Sequence, residues 1–471
     1  GSPLFQSTLL TRNSDLKVEN DLAIGYELSE DGLEWKVTLR EDVKFSDGEP
    51  LTAHDVAYTF RTAAASGSVV DLNVMEKVEA EDDYTVKFTL SQPQSTFIYI
   101  LTNTGIVPEH AHSQEYAENP LGSGPYKFVQ WDKGQQLIVE ANPHYYGGNP
   151  FFKQLTFLFL EEDAAFAAGK AGQVDMVAVP ATLADQEIAG MRLEAVESID
   201  NRGIMFPTVK AGDETAEGYP IGNDVTADLS IRKATNVAID RQALVDGVLN
   251  GYGSPAYTAS DNMPWWNPET VVPDADLEQA KQILQAGGWK EINGIMSKGG
   301  LKAEFGLYYP AADQTRQSLA IAVADMLKPI GIQINVEGAS WDELYTNMHS
   351  NAVLFGWGSH DPLELYNLYS SKTQGRGSYN AGFYGNPIVD EYMDNALAAT
   401  NEEEALEYWK LAQWDGKTGL SALGDAPWAW LVNLEHTYFV HEDLNIGQQA
   451  VHPHGHGWPV TDNILQWHWD D

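Results

Sequence analysis

The sequence predicts a mixed α/β chain of two lobes, each built on parallel sheet, with a small α+β module ahead of them. Three observations predict it. Residues 151–179 carry two continuous apolar strands around a short helix, and residues 302–357 repeat that alternation with three strands and two helices. Strands that are apolar throughout are buried on both faces, as in sheets flanked by helices. Residues 20–150 instead alternate apolar and polar positions, as half-buried antiparallel strands do. A chain of 471 residues is long enough for two or three such units.

Residues 33–39 (LEWKVTL) form the first alternating strand, and 40–48 (REDVKFSDG) its end and a turn. A helix starts at residue 53, where Thr52 caps and Asp55 stands three residues on, the spacing of a capping box. Residues 74–80 and 84–90 are two strands split by the turn Glu81-Asp82-Asp83, and 122–130 and 136–141 continue the antiparallel pattern. From Phe151 the character changes. FFKQLTFLFL is an apolar strand, 161–170 a short helix and 174–179 (VDMVAV) a second strand, which together predict a parallel βαβ unit. Residues 230–249 hold one broad apolar stripe at helical spacing, from Ile231 to Val248. The second unit runs strand 302–309, helix 315–327 stopped by Pro329 and Gly331, strand 332–336, helix 341–348 and strand 352–357. Residues 402–413 are a helix, and 428–440 a pair of strands that leads to a histidine loop.

Composition narrows the functions. The chain has 28 Lys and Arg against 68 Asp and Glu, a formal net charge of −40. Such a surface repels nucleic acid and anionic membrane faces. Cysteine is absent, which excludes disulfides, thiolate metal sites and cysteine catalysis. No apolar run reaches the length of a membrane span. The chain opens on GSPLFQSTLL with no signal peptide, and that opening has the character of a domain interior. An N-terminal segment is therefore expected to precede it in the natural protein. No HExxH, Walker-type GxxxxGK[ST] or GxSxG motif occurs, and Pro255 disqualifies the loose glycine pattern at 251–256 as a dinucleotide site.

Ligands of open parallel sheets sit beyond the carboxyl ends of strands. One such end is Trp357-Gly-Ser-His360-Asp361, and another is Val179-Pro180. The loop after Tyr369, SSKTQGRGSYNAGF, carries Arg376, Tyr379 and Asn380, and a guanidinium there suits a ligand carboxylate. The third candidate is 451–459 (VHPHGHGWP), which packs His452, His454 and His456 into five residues with Trp458 two beyond. Imidazole is a common metal ligand, but this spacing matches no standard zinc pattern. Each candidate has an ordinary alternative: a solvated turn for the histidines, a surface ion pair for Arg376, a turn cap for His360 and Asp361, and core packing for Trp357.

Residues 33–60, LEWKVTLREDVKFSDGEPLTAHDVAYTF, resemble the signature segment of the peptide/nickel-type solute-binding proteins of ABC importers (family 5, cluster C). GSGPY at 122–126, NPHYY at 142–146, GQVD at 172–175 and IRKATNVAIDRQAL at 231–244 follow in family order. The resemblance implies a periplasmic-binding-protein-like fold with a hinge and an inserted small α+β domain. Its division here would be lobe I over 1–20, 151–228 and 441–471, the insert over 21–150, and lobe II over 229–440. It implies a monomeric, non-enzymatic carrier, periplasmic or extracellular, that serves ABC permease subunits; a lipoprotein anchor is compatible with it. Within the family the chain is most similar to the nickel or metal-chelate branch, through the histidine loop and WAWLVNL at 428–434. That implies a transported nickel–chelator complex, held by His452, His454 or His456 and by Arg376, with no permanent cofactor. The alternative is an oligopeptide or dipeptide carrier, in which Asp361 meets the ligand's amine. A hydrolase lacks a nucleophile motif, and a purely structural role does not need glycine-rich loops at strand ends.

Overall fold

The computed structural model describes residues 3–66, 71–454 and 458–471. Its N-terminal module is a four-stranded antiparallel sheet, ordered Ala23–Leu28, Glu34–Leu39, Thr85–Leu90, Met75–Asp82. Glu34–Leu39 alternates exposed and buried residues along its whole length, as its sequence requires. Trp35, Val37 and Leu39 face inward against Phe60, Phe88 and Phe97. Helix Ala53–Ala65 opens on the predicted capping box, with Thr52 and Asp55 each bonding the other's backbone. Such a cap stabilises a helix by about 1 kcal/mol. Leu9 and Leu10 pack into this same core.

The predicted parallel unit at 151–179 is not formed. Gln154–Leu158 pairs antiparallel with Gln136–Ala141, in a sheet with Tyr126–Asp132. Met176–Val179 lies in a different sheet, antiparallel to His436–His441, whose other edge takes Met191–Val196. Gln154–Leu158 half-buries only alternate residues and exposes the rest, so its apolar run was not evidence of burial on both faces. Phe157 and Leu155 cover one core, while Leu158 stays exposed.

The second predicted unit is parallel as expected. Glu304–Pro310 pairs in parallel with Gln333–Ala339 and with Ala352–Phe355. Helix Gln314–Leu327 connects the first two of these strands. All four residues of Ala352–Phe355 are buried. The full sheet has six strands, in the order Gly253–Pro255, Trp428–Leu434, Asn201–Met205, Ala352–Phe355, Glu304–Pro310, Gln333–Ala339. Asn201–Met205, expected in lobe I, is thus an inner strand of this sheet, antiparallel to both neighbours. One core, with Ile231, Leu244, Phe305 and Leu319, covers one face; a second, rich in tryptophan, covers the other.

The helix expected over 230–249 is two helices, Leu229–Ala238 and Arg241–Val248. Ile239 adopts an extended backbone, and Asp240 caps the second helix by accepting from the Ala243 N–H. An aspartate that caps competes with helix continuation, a stop hidden by an unbroken apolar stripe. Residues 428–440 are two strands, but not a hairpin. Trp428–Leu434 ends the six-stranded sheet's share, and after Glu435 the chain enters the three-stranded sheet as His436–His441. The segment from Met191–Val196 into Asn201–Met205 crosses the other way. These two crossings join the two lobes.

Candidate functional site

The segment that follows Ala352–Phe355 lies where the lobes and the N-terminal module meet. Its backbone is pinned first. The Trp357 N–H donates to Asn201 Oδ1 at 2.8 Å, and the Asn201 N–H donates to the Trp357 carbonyl at 2.9 Å. Gly358 has a φ of +134°, and a Cβ there would come 1.9 Å from the Ile199 carbonyl oxygen. Only glycine lets these two chains approach. His454 N–H donates to the Gly358 carbonyl at 2.9 Å.

Two carboxyl groups occupy the turn beyond. Asp361 Oδ1 accepts from the Leu363 N–H at 2.9 Å, and Glu364 Oε2 accepts from the Gly358 N–H at 3.0 Å. Each keeps a little surface in water, yet protein fills most of the space around it. Burial pushes Asp361 up to about 6 against the pull of Arg12. Burial, with repulsion from Asp361, pushes Glu364 up to about 8. Arg12 reaches in from the N-terminal module: it bonds Asn103 Oδ1 at 2.9 Å and lies over the Tyr99 ring at 5.3 Å.

Two guanidinium groups lie against Gly356, at the start of the segment. A Cβ on Gly356 would lie 2.6 Å from Arg202 Nη1 and 2.9 Å from Arg316 Nη2. Burial and the neighbouring charge of Arg202 lower Arg316 to about 10, which leaves it charged at neutral pH. Arg202 Nη1 donates to Asp200 Oδ1 at 2.6 Å, while its buried Nε has no hydrogen-bond partner among the described residues. An unpaired buried donor is costly, so this one is a point where an arriving acceptor gains.

The structure sorts the sequence candidates. Trp357, His360 and Asp361 share this segment, and Tyr379 joins them by stacking on Trp357 with centroids 4.8 Å apart. His360 Nε2 donates to the Val451 carbonyl at 2.8 Å, and burial lowers its basicity to about 4, so it serves as a neutral donor. Asn380 is fully engaged inside its own loop, bonding Ser370 and Tyr384. Arg376 is exposed, and its guanidinium makes no hydrogen bond or ion pair among the described residues. Trp458 stacks on Phe157, 4.5 Å between centroids, on the three-stranded sheet of Gln154–Leu158. His452 is buried, with Nδ1 3.0 Å from His436 Nδ1 and Nε2 3.0 Å from Gln449 Oε1. His454 Nδ1 lies 2.6 Å from Asp200 Oδ1. Both imidazoles are thus engaged at the crossings, and His456 lies outside the described residues. Among the described residues no group of three or more His, Asp or Glu side chains is arranged to hold a metal ion.

Sequence reasoning missed Arg202, Arg316, Glu364 and Asp200. Arg316 had a signal: it stands just after the carboxyl end of strand Glu304–Pro310, where the strand-end rule looks. Glu364 stands one helical turn from Asp361, but among 68 acids that spacing carries no weight by itself.

Comparison with known proteins agrees with the fold. Residues 17–379 match the family model described as bacterial extracellular solute-binding proteins, family 5 middle. The chain is 35% identical over 448 residues to Protein XP55 of Streptomyces lividans, covering 91% of this chain and 79% of that protein. It is 30% identical over 439 residues to the oligopeptide-binding protein AppA of Bacillus subtilis, covering 87% and 78%. Among solved structures it superposes on NikZ of Campylobacter jejuni in complex with Ni(L-His), with a TM-score of 0.79 at 24% identity, covering 99% of this chain and 96% of that one.

Proposed function

The chain belongs to the bacterial extracellular solute-binding proteins of family 5, and from that premise we propose that its solute is a short peptide with both ends free. It works as a binding protein for an ABC importer, not as an enzyme, and no helix among its described residues is long and apolar enough to cross a membrane. One observation carries the peptide reading: two carboxyl groups and two guanidinium groups are gathered at one strand end. Asp361 and Glu364 suit an ammonium group, and Arg202 with Arg316 suits a carboxylate. The Trp357 and Tyr379 rings, stacked on each other at the same strand end, offer a flat wall for the intervening chain. All four charged side chains stand on elements of the six-stranded sheet, so a zwitterion held there binds best when the other lobe closes over it, and binding shifts the population toward the closed form. Similarity to AppA at 30% identity supports the same reading. The metal-chelate reading draws its support from the shared fold with NikZ.

Titration calorimetry separates them. Trialanine, N-acetyl-trialanine, trialanine amide and nickel with excess histidine are titrated into the wild-type chain, and trialanine into Asp361→Asn. Free trialanine is expected to bind, and capping either end to weaken it at least about tenfold, or about 1.4 kcal/mol. Asp361→Asn should match the N-capped loss. Heat from nickel–histidine alone would overturn the peptide reading and restore the chelate.

A further inference from the structure

The two lobes touch at a second place besides the crossings. The N-terminal module belongs with the first lobe: Leu4 and Phe5 share a core with Val440 and Leu444, while Leu9 and Leu10 of the same segment fill the core of the module. The chain joins this body to the six-stranded sheet only through the crossings at 197–200 and 435. The strand end that holds Asp361 lies between the crossings and the module. Gly358 packs on Ile199 at the first crossing, and the His360 carbonyl accepts from Arg12 Nη2 of the module at 3.4 Å.

The module makes a further contact with lobe II, where three turns meet. The hairpin turn at 29–33 brings Gly32, which is buried although it stands at a hairpin tip. Its φ is +72°, and a Cβ on it would come 3.0 Å from Pro93 Cβ and 3.1 Å from Thr400 Cγ2. Thr400 follows helix Pro387–Ala398 of lobe II. The last carbonyls of a helix have no partner within it, and no basic residue stands in the last turn of this one. Ser95, in the module's loop 91–96, supplies the donors. Its N–H donates to the Leu397 carbonyl at 2.8 Å, and its Oγ to the Ala396 carbonyl at 2.7 Å. Helix Ala53–Ala65 is closed in a similar way by Ser66, whose N–H and Oγ donate to the carbonyls of Thr62 and Ala63. Ser66 is that helix's own next residue. Ser95 stands 301 positions from Ala396 and in the other body.

We propose that Ser95 is the latch of the closed form: a helix cap donated across the cleft, made when lobe II swings against the module and broken when it swings away. Rotation about a hinge acts differently on contacts near it and far from it. Residues at the crossings stay neighbours at any angle, because the chain holds them together. Ser95 and Leu397 are linked by the chain only through the crossings, so rotation about 197–200 and 435 separates them. Opening exchanges the two hydrogen bonds of Ser95 for water and lifts Thr400 off Gly32. The latch bonds run to backbone carbonyls and not to the strand-end carboxyl groups, so they add the same increment to closure for every solute. The proposal rests on the two-lobed fold and stands apart from the peptide reading.

Two measurements on the unliganded full chain test it. The first is hydrogen exchange of the residue 95 amide, which reports even rare openings through the protection they interrupt. In Ser95→Ala that amide should exchange about fivefold faster than in the wild-type chain, the weight of one ordinary hydrogen bond, once each side chain's intrinsic rate is corrected for. Ser66→Ala loses the matching bond of an ordinary cap and should leave the rate unchanged. No gain in Ser95→Ala, or an equal gain in Ser66→Ala, overturns the proposal. The second measurement uses the absence of cysteine. Spin labels at Ile24→Cys in the module and Ile388→Cys on the capped helix, both exposed, give the distances between the two bodies. Thr400→Arg, at an exposed position of lobe II, puts a long side chain where Gly32 seats and should shift the population to longer distances. A distribution that stays as in the wild-type chain overturns the latch, because the lobes then close without this contact.

Discussion

At the residue scale the most informative group is Glu364. Its ordinary value is 4.5 and burial holds it at about 8 in the folded chain. The folded state therefore binds a proton that the unfolded state has released, and folding takes up a proton between those two values. The sign follows. Stability from this group is greatest below 4.5 and declines as pH rises toward 8. Glu364→Gln keeps an acceptor for the Gly358 N–H and removes the titration. Thermal denaturation of the two chains across that window should show the variant gaining on the wild type by up to a few kcal/mol, since each tenfold change in proton affinity on folding is about 1.4 kcal/mol. A constant difference across the window would mean that Glu364 is ionised in the folded chain. The same proton bears on binding: an ammonium group placed against Glu364 displaces it, so heats measured at pH 7 should depend on the buffer's own ionisation enthalpy.

At the scale of elements, local signals were legible and pairings were not. The capping box at Thr52 and Asp55 and the helix Glu402–Gln413 were readable because caps and helical spacing are written within a few residues. The parallel unit at 304–355 was readable because helices alternate with its strands and Ala352–Phe355 is buried throughout. The apolar run at 151–160 misled because periodicity cannot separate strand partners. The crossings were illegible for a related reason: Glu435 sits between two strands that any local rule joins into a hairpin. The histidines of the C-terminal return were singled out by their density, and the structure ties His452 and His454 to Asp200 and His436 across more than 200 positions of sequence for Asp200. Gly358 tests how tightly that joint is built. Gly358→Ala would press a methyl group onto the Ile199 carbonyl at a φ that side chains avoid. Denaturant titration should show a loss of about 2–4 kcal/mol, against a change within about 0.5 kcal/mol for the exposed Arg376→Ala, which touches none of these contacts.

At the scale of the whole molecule the charge of −40 and the local site make opposite demands on a ligand. The surface field draws cations and repels anions over the distance that salt allows, about 30 Å at 0.01 M and about 3 Å at 1 M. On the peptide reading proposed above, the strand end gathers Asp361 and Glu364 with Arg202 and Arg316 and so selects a zwitterion by contact. Encounter and capture are thus governed by separate charges. Tripeptides that differ only in a central lysine or glutamate share both termini, so contact at the ends treats them alike while the field does not. Stopped-flow association should be faster for the lysine peptide at about 0.01 M salt, and the two rates should converge as salt approaches about 1 M. Their dissociation rates should change far less than their association rates, because the ends are held where little of the bulk field is screened. A rate difference that survives high salt would place a specific side-chain pocket beside the termini, and the field would then be irrelevant to selection.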